Sequence, residues 1–137
     1  MNNDSLITVF TPVYNRAYII AKCYESLKCQ TFKDFEWLIY DDGSTDDIEE
    51  VVNNFIKEGL VKIRYYKYKN RGKHVAINMG SELAKGELFF IVDSDDYLTD
   101  NALELVFNAW NSIKKSERSL FVGVGGKRYL VNRENNN

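Results

Sequence analysis

Four short β-rich runs, beginning near residues 6, 35, 61 and 87, each lead into a stretch with helical spacing. This alternation is the strongest constraint on the chain. Strands joined through helices cannot return antiparallel by a tight turn. They cross over and lie parallel, with helices covering both faces of the sheet. Leu6 to Phe10 forms the first run and stops at Thr11-Pro12. Phe35 to Tyr40 is the second. Val61 to Lys67 alternates at Val61, Ile63 and Tyr65, as a half-buried third strand does. Leu88 to Val92 is apolar without alternation, the pattern of a central strand covered on both faces.

The intervening helices are read from apolar stripes: Ile19, Ile20, Cys23, Tyr24 and Leu27 within 17–31, then Ile48, Val51, Val52, Phe55 and Ile56. A third helix is expected over 74–85, and a fourth from Leu103, Val106, Phe107, Trp110 and Ile113. Ser44 is placed to cap the second helix, Gly86 to stop the third, and Thr99 or Asp100 to cap the fourth. Leu120 to Gly125 and Lys127 to Val131 read as two further short strands. The expected architecture is therefore α/β, a mostly parallel sheet with helices on both faces. It forms one domain over 1–137, with 1–5 and 132–137 disordered.

Charge and composition exclude several classes of function. Eighteen basic against 20 acidic residues leave a net charge of −2, so no basic field invites nucleic acid or an anionic membrane surface. No uninterrupted apolar run exceeds five residues, too short for a membrane span. The polar start, Met1 to Ser5, has no signal-peptide character, and a cytoplasmic location is expected. Cys23 and Cys29 stand six apart on a predicted helix and face different ways. They are expected to be unpaired, buried thiols.

An open parallel sheet binds ligands at the carboxyl ends of its strands. Four loops emerge there: 11–16, 41–46, 69–73 and 93–96. Two are acidic and one is basic. Acidic side chains supply hard oxygen ligands to a divalent ion, and basic ones face phosphates. Asp93, Asp95 and Asp96 repel one another, at about 4 kcal/mol per pair at 4 Å and an effective dielectric near 20, unless a cation or solvent screens them. Each motif also has a plainer reading. Residues 93–96 also suit a solvated helix-capping turn, 41–46 a strand-to-helix turn, and Lys69, Arg71 and Lys73 a solvated basic face. His74, the single histidine, has no partner for a metal site.

Taken together, Thr11-Pro12-Val13-Tyr14-Asn15-Arg16, Asp41-Asp42-Gly43-Ser44-Thr45-Asp46, Asn70-Arg71-Gly72-Lys73 with Ala76-Ile77-Asn78, and Ala84-Lys85-Gly86-Glu87 leading into Val92-Asp93-Ser94-Asp95-Asp96 resemble the family 2 glycosyltransferases. The resemblance covers about residues 5 to 126, and four motifs in order are far more specific than any one of them. It implies the GT-A fold and a nucleotide-diphosphate-sugar donor, most often UDP-linked. It also implies transfer with inversion to a saccharide or lipid-linked acceptor, as in the synthesis of cell-surface polysaccharides and glycans.

For the residues, the resemblance implies that Thr11, Pro12, Val13, Tyr14 and Asn15 line the nucleoside pocket. Asp41 or Asp42 would meet uracil or ribose, and Arg71 and Lys73 would lie near nucleotide or phosphate. Asp93 and Ser94 would serve the nucleotide, while Asp93, Asp95 and Asp96 would hold a divalent metal, Mn²⁺ or Mg²⁺. Members of the family continue well past the metal motif, where the catalytic base, usually acidic, resides. A base is thus expected beyond Asn137, with the present sequence a piece of a longer enzyme. The alternative is a catalytically incomplete module that binds the nucleotide sugar. A phospho-acceptor receiver domain fits less well, because its acidic residues follow the first and third strands rather than the second and fourth.

Overall fold

The computed structural model describes residues 5–120. The elements alternate as expected: β1 (Ile7–Val13), α1 (Ile20–Lys28), β2 (Phe35–Asp41), α2 (Ile48–Glu58), β3 (Ile63–Lys67), α3 (Lys73–Leu83), β4 (Leu88–Ile91) and α4 (Ala102–Asn111), then a 3₁₀ turn over Lys115–Leu120. All strand pairs are parallel, in the order β3-β2-β1-β4. Expectations for residues 1–4 and 121–137 lie outside the described residues.

Strand periodicity sorts the side chains into two cores. Ile7, Val9 and Val13 of β1 and Phe35, Trp37 and Ile39 of β2 face one way. They pack against Ile20, Cys23 and Leu27 of α1, Ile48 and Val52 of α2, and Leu103 of α4. Phe10, Leu38 and Tyr40 face the other way, onto Ala76 of α3, with Ile77, Met79 and Leu83 partly buried beside them. Gly80 makes that second contact possible, since a Cβ there would lie 2.3 Å from the Phe10 ring. No larger residue lets α3 approach β1 so closely.

A polar knot shares the α3 face. Glu36 is fully buried. Its carboxylate accepts hydrogen bonds from Thr8 Oγ1 at 2.7 Å, Arg64 Nε and Nη2 at 2.9 and 2.8 Å, and the Lys85 N–H at 3.1 Å. Arg64 also donates to the Leu83 carbonyl at 2.6 Å, tying the end of α3 to the sheet. Burial by itself pushes the Glu36 pKa up. The hydrogen bonds from Arg64, Thr8 and Lys85 and the Arg64 charge outweigh it and hold the carboxyl below its ordinary range.

The sequence-based expectations need several corrections. β4 is not central: among the described residues it is the sheet edge beside β1, and Ile91 is 43% exposed. β1 runs through Pro12 instead of stopping before it. Even-numbered residues of β1 bond towards β4, as the Val92 N–H to Phe10 carbonyl bond shows. β4 pairing ends at Phe10–Ile91, so the missing N–H of Pro12 leaves no rung unmade.

Three capping assignments also change. Ser44 does not cap α2. Its Oγ accepts the Asn15 N–H at 2.9 Å, and Asp46 Oδ1 accepts the Ile48 N–H. Neither Thr99 nor Asp100 caps α4 through its side chain. Instead Gln30, far away in sequence, accepts the Leu103 N–H at 3.1 Å and donates to the Thr99 carbonyl at 2.8 Å. Gly86 is not the stop of α3, which ends at Leu83 with Ala84 as its extended cap. Gly86 is a close-approach residue: its N–H bonds Thr8 Oγ1, and a Cβ would lie 2.5 Å from the Thr8 nitrogen. Finally, α1 starts at Ile20 rather than 17, and Cys29 beyond its end is exposed. Cys23 is buried as expected. Burial pushes its thiol up to about 12, against a smaller downward effect of the Thr11 hydrogen bond.

Candidate functional site

The strand order reverses direction at β1: β2 lies on one side and β4, reached last, on the other. Such a switch point opens a crevice at the carboxyl edge. A cleft of about 400 Å³ lies there, lined by Pro12, Val13, Tyr14 and Arg16 after β1, Asp42 after β2, Asn70, Gly72, Lys73 and Ala76 around the start of α3, and Asp93, Ser94 and Asp95 after β4. All four loops expected at this edge contribute to it.

The two adjacent carboxylates at the end of β2, Asp41 its last residue and Asp42 the next, do different things, because consecutive residues of an extended chain point to opposite faces. Asp41 is completely buried. It accepts the Ser44 N–H at 2.8 Å and the Tyr65 hydroxyl, so it holds the turn after β2 and ties it to β3. Asp42 lines the cleft. Its two oxygens accept the N–H groups of Arg71 and Gly72 at 2.8 and 3.1 Å, which fixes the loop before α3. Gly43, at φ +82, lets that turn pass close to Asn70, where a Cβ would lie 2.8 Å from the Asn70 nitrogen.

Asn15 acts as a clasp. It has φ 53, a left-handed conformation that asparagine tolerates better than most residues. Its Oδ1 accepts from Thr45 N–H at 2.8 Å and Asp46 N–H at 3.3 Å, while its own N–H meets Ser44. The side chain of Thr11 also works internally, accepting the Trp37 indole N–H at 2.9 Å. Thr11, Asn15, Asp41, Arg71 and Asp96 therefore do not line the cleft wall, whereas Pro12, Val13, Tyr14, Asp42, Lys73, Asp93, Ser94 and Asp95 do. Arg16, Asn70, Gly72 and Ala76 are wall residues that sequence reasoning did not assign. Position in the same loops was the signal available for Arg16, Asn70 and Gly72.

Beyond β4 the chain turns sharply, with the Asp96 N–H donating to the Asp93 carbonyl at 3.0 Å. The turn gathers Asp93, Asp95 and Asp96, which can each offer one oxygen with all three within 4.8 Å of one another. A hard divalent ion such as Mg²⁺ takes oxygen ligands, usually one or two carboxylates from protein with phosphate oxygens and water for the rest, and these three aspartates are the candidates at this edge. Lys73 Nζ stands 2.9 Å from Asp93 Oδ1 across the cleft. Acid and base thus converge on one edge, as a metal–diphosphate site requires. Among the described residues, no helix is long and apolar enough to cross a membrane.

Comparison with known proteins agrees with this geometry. The glycosyltransferase GlyG of Streptococcus pneumoniae is 33% identical over 121 residues, 88% of this chain and 39% of its own length. S. aureus TarS 1–349 in complex with UDP-GlcNAc superposes with a TM-score of 0.70 at 28% identity, over 77% of this chain and 31% of that one. The mannosyltransferase PcManGT of Pyrobaculum calidifontis, in complex with GDP-Man and Mn²⁺, gives 0.64 at 25% identity over 70% of this chain and 29% of that one. The chain thus spans well under half the length of these relatives. Its sheet and helices are those of the GT-A fold. The model of the glycosyl transferase family 2 matches residues 8–136, and the chain belongs to that family.

Proposed function

We propose that this chain binds a nucleotide-diphosphate sugar, UDP-linked, with a divalent metal, and serves its transfer with inversion to a saccharide or lipid-linked acceptor. The observation that carries the reading is the single cleft into which Asp42, Lys73, Asp93 and Asp95 all open. The UDP-GlcNAc complex of TarS and the GDP-Man and Mn²⁺ complex of PcManGT support it. Asp93, Asp95 and Asp96 are the residues that would hold Mn²⁺ or Mg²⁺. The ion would supply neutralising charge to the diphosphate as it becomes the leaving group.

The remaining work falls to the chain. Pro12, Val13 and Tyr14 offer the wall for the nucleoside, with Tyr14 about half exposed at the lip. Asp42 offers a carboxylate to a nucleoside N–H or hydroxyl. Ser94, nearly buried, offers a hydroxyl or backbone group to the nucleotide. Thr11, Asn15 and Asp41 hold the loops that carry these groups, and Arg71 contributes its main-chain N–H to Asp42. The carboxylates lining the cleft among the described residues are Asp42, Asp93 and Asp95, so none is left over for an acceptor base. A cytoplasmic location is consistent with the two free thiols.

Calorimetry with UDP tests the proposal. UDP carries two to three negative charges and meets a carboxylate cluster, so affinity should fall at least about tenfold when Mn²⁺ is removed by a chelator. Equal affinity with and without metal, or no binding at all, rejects the reading. The nucleoside role of Asp42 has its own test. A charge-assisted hydrogen bond is worth about 1.5–3 kcal/mol, so Asp42→Ala should weaken UDP binding by about tenfold or more. Unchanged affinity in that variant removes Asp42 from the nucleoside site.

A further inference from the structure

Lys73 is the first residue of α3, and its ammonium already occupies one of the three clustered carboxylates. The contact is a single 2.9 Å hydrogen bond to Asp93 Oδ1 between side chains that are 60% and 31% exposed. An ion pair this open is held weakly and exchanges readily. Asp93 is also a member of the 4.8 Å cluster of Asp93, Asp95 and Asp96. A divalent ion bound by that cluster would sit next to the ammonium, and like charges so close repel strongly. Lysine is suited to exchange partners, because its charge rides on a flexible four-carbon stem with three rotatable donors. Arg16, the other cationic side chain on the cleft wall, is instead engaged with the Tyr18 hydroxyl at 2.9 Å.

We propose that Lys73 is a resident counter-cation. It neutralises Asp93 while the metal is absent, yields Asp93 to the arriving divalent ion, and passes to an oxygen of the diphosphate that accompanies the ion. This inference rests on the nucleotide-sugar reading above. No bond is made or broken; one hydrogen bond is exchanged for another. The consequence is a pair of effects with opposite signs. Lys73 competes with the metal alone and assists the metal–nucleotide pair.

The test uses the chain as it is and two variants. Free Mn²⁺ is titrated by electron paramagnetic resonance without nucleotide, and UDP by calorimetry at saturating Mn²⁺. Lys73→Met should bind Mn²⁺ alone roughly two- to fivefold more tightly, and UDP with Mn²⁺ weaker by a similar factor. Lys73→Arg, which keeps the charge, should bring both affinities back towards wild type. A merely structural role for Lys73 would lower both affinities together, and that result overturns the inference. So does an unchanged Mn²⁺ affinity in Lys73→Met. If the wild-type chain binds neither Mn²⁺ nor UDP, the functional reading fails and this inference with it. If wild type binds both and only the opposed signs are missing, the functional reading stands and this inference alone falls.

Discussion

Glu36→Ala is expected to remove about 3 kcal/mol of stability. Glu36 is fully buried, while the Arg64 side chain keeps 16% of its exposure. Truncating the acid leaves a guanidinium largely out of water with the Leu83 carbonyl as its remaining strong partner. It also strips the Thr8 hydroxyl and the Lys85 N–H of their acceptor. Breaking a buried pair from one side typically costs about 3–5 kcal/mol, and the partial exposure of Arg64 places this case at the low end. For a domain of this size the thermal midpoint should fall by about 10 °C. Replacing both partners by apolar residues of similar volume should cost much less than Glu36→Ala alone, because no orphaned charge remains.

The same pair sets an acid limit. The Glu36 pKa is lowered from 4.5 in the folded chain, so the unfolded state takes up a proton more readily. The stabilisation is complete above 4.5 and is lost as pH falls through the depressed folded value. Wild type should therefore lose stability below pH 4.5 more steeply than Glu36→Ala. Thermal melts at several pH values decide the matter. Parallel curves with equal midpoints would show that the knot contributes nothing.

Gly86→Val is expected to cost about 3 kcal/mol, for an opposite reason: too much volume rather than too little charge. A Cβ at this position would lie 2.5 Å from the Thr8 nitrogen, 2.8 Å from the Ile7 carbonyl carbon and 2.9 Å from Thr8 Oγ1. Two of those three atoms are backbone of a buried strand and cannot rotate away. The chain entering β4 must then move, and with it the Gly86 N–H to Thr8 Oγ1 bond and the pairing of Ile7 with Leu88. Thermal unfolding reads the loss directly. A midpoint within a degree of wild type would mean that the β1–β4 junction yields more easily than its distances imply.

These two positions also show what the sequence could and could not reveal. The βα order and the gathering of four loops at one edge follow from local periodicity and from the handedness of crossovers, and both were legible. The jobs of Gly86 and Gln30 were not, since each depends on a partner more than 70 residues away: Thr8 for the first, Leu103 for the second. A glycine after a helix reads as a stop whether or not a strand later presses against it. The edge position of β4 was hidden for a related reason. Leu88 and Phe90 pack on one core and Phe89 on the other, so a one-sided neighbour suffices to give an unbroken apolar run. The division of labour between Asp41 and Asp42 was available in principle. Strand alternation places Asp41 with Phe35, Trp37 and Ile39 on one face, and Asp42 with Leu38 and Tyr40 on the other.

Pro12 gives the cleft wall a polarity that no side chain can edit. In the alternation of β1, its main-chain groups face the side that β4 has already left. An ordinary residue there would present both halves of a ladder rung to whatever lies in the gap. Proline presents a carbonyl alone. The strand edge beyond the last β1–β4 rung is thus chemically one-handed at Pro12: it offers an acceptor and no donor. A group that brought an N–H to this edge would find a partner there, and one that brought only lone pairs would not, by the covalent structure of the main chain itself.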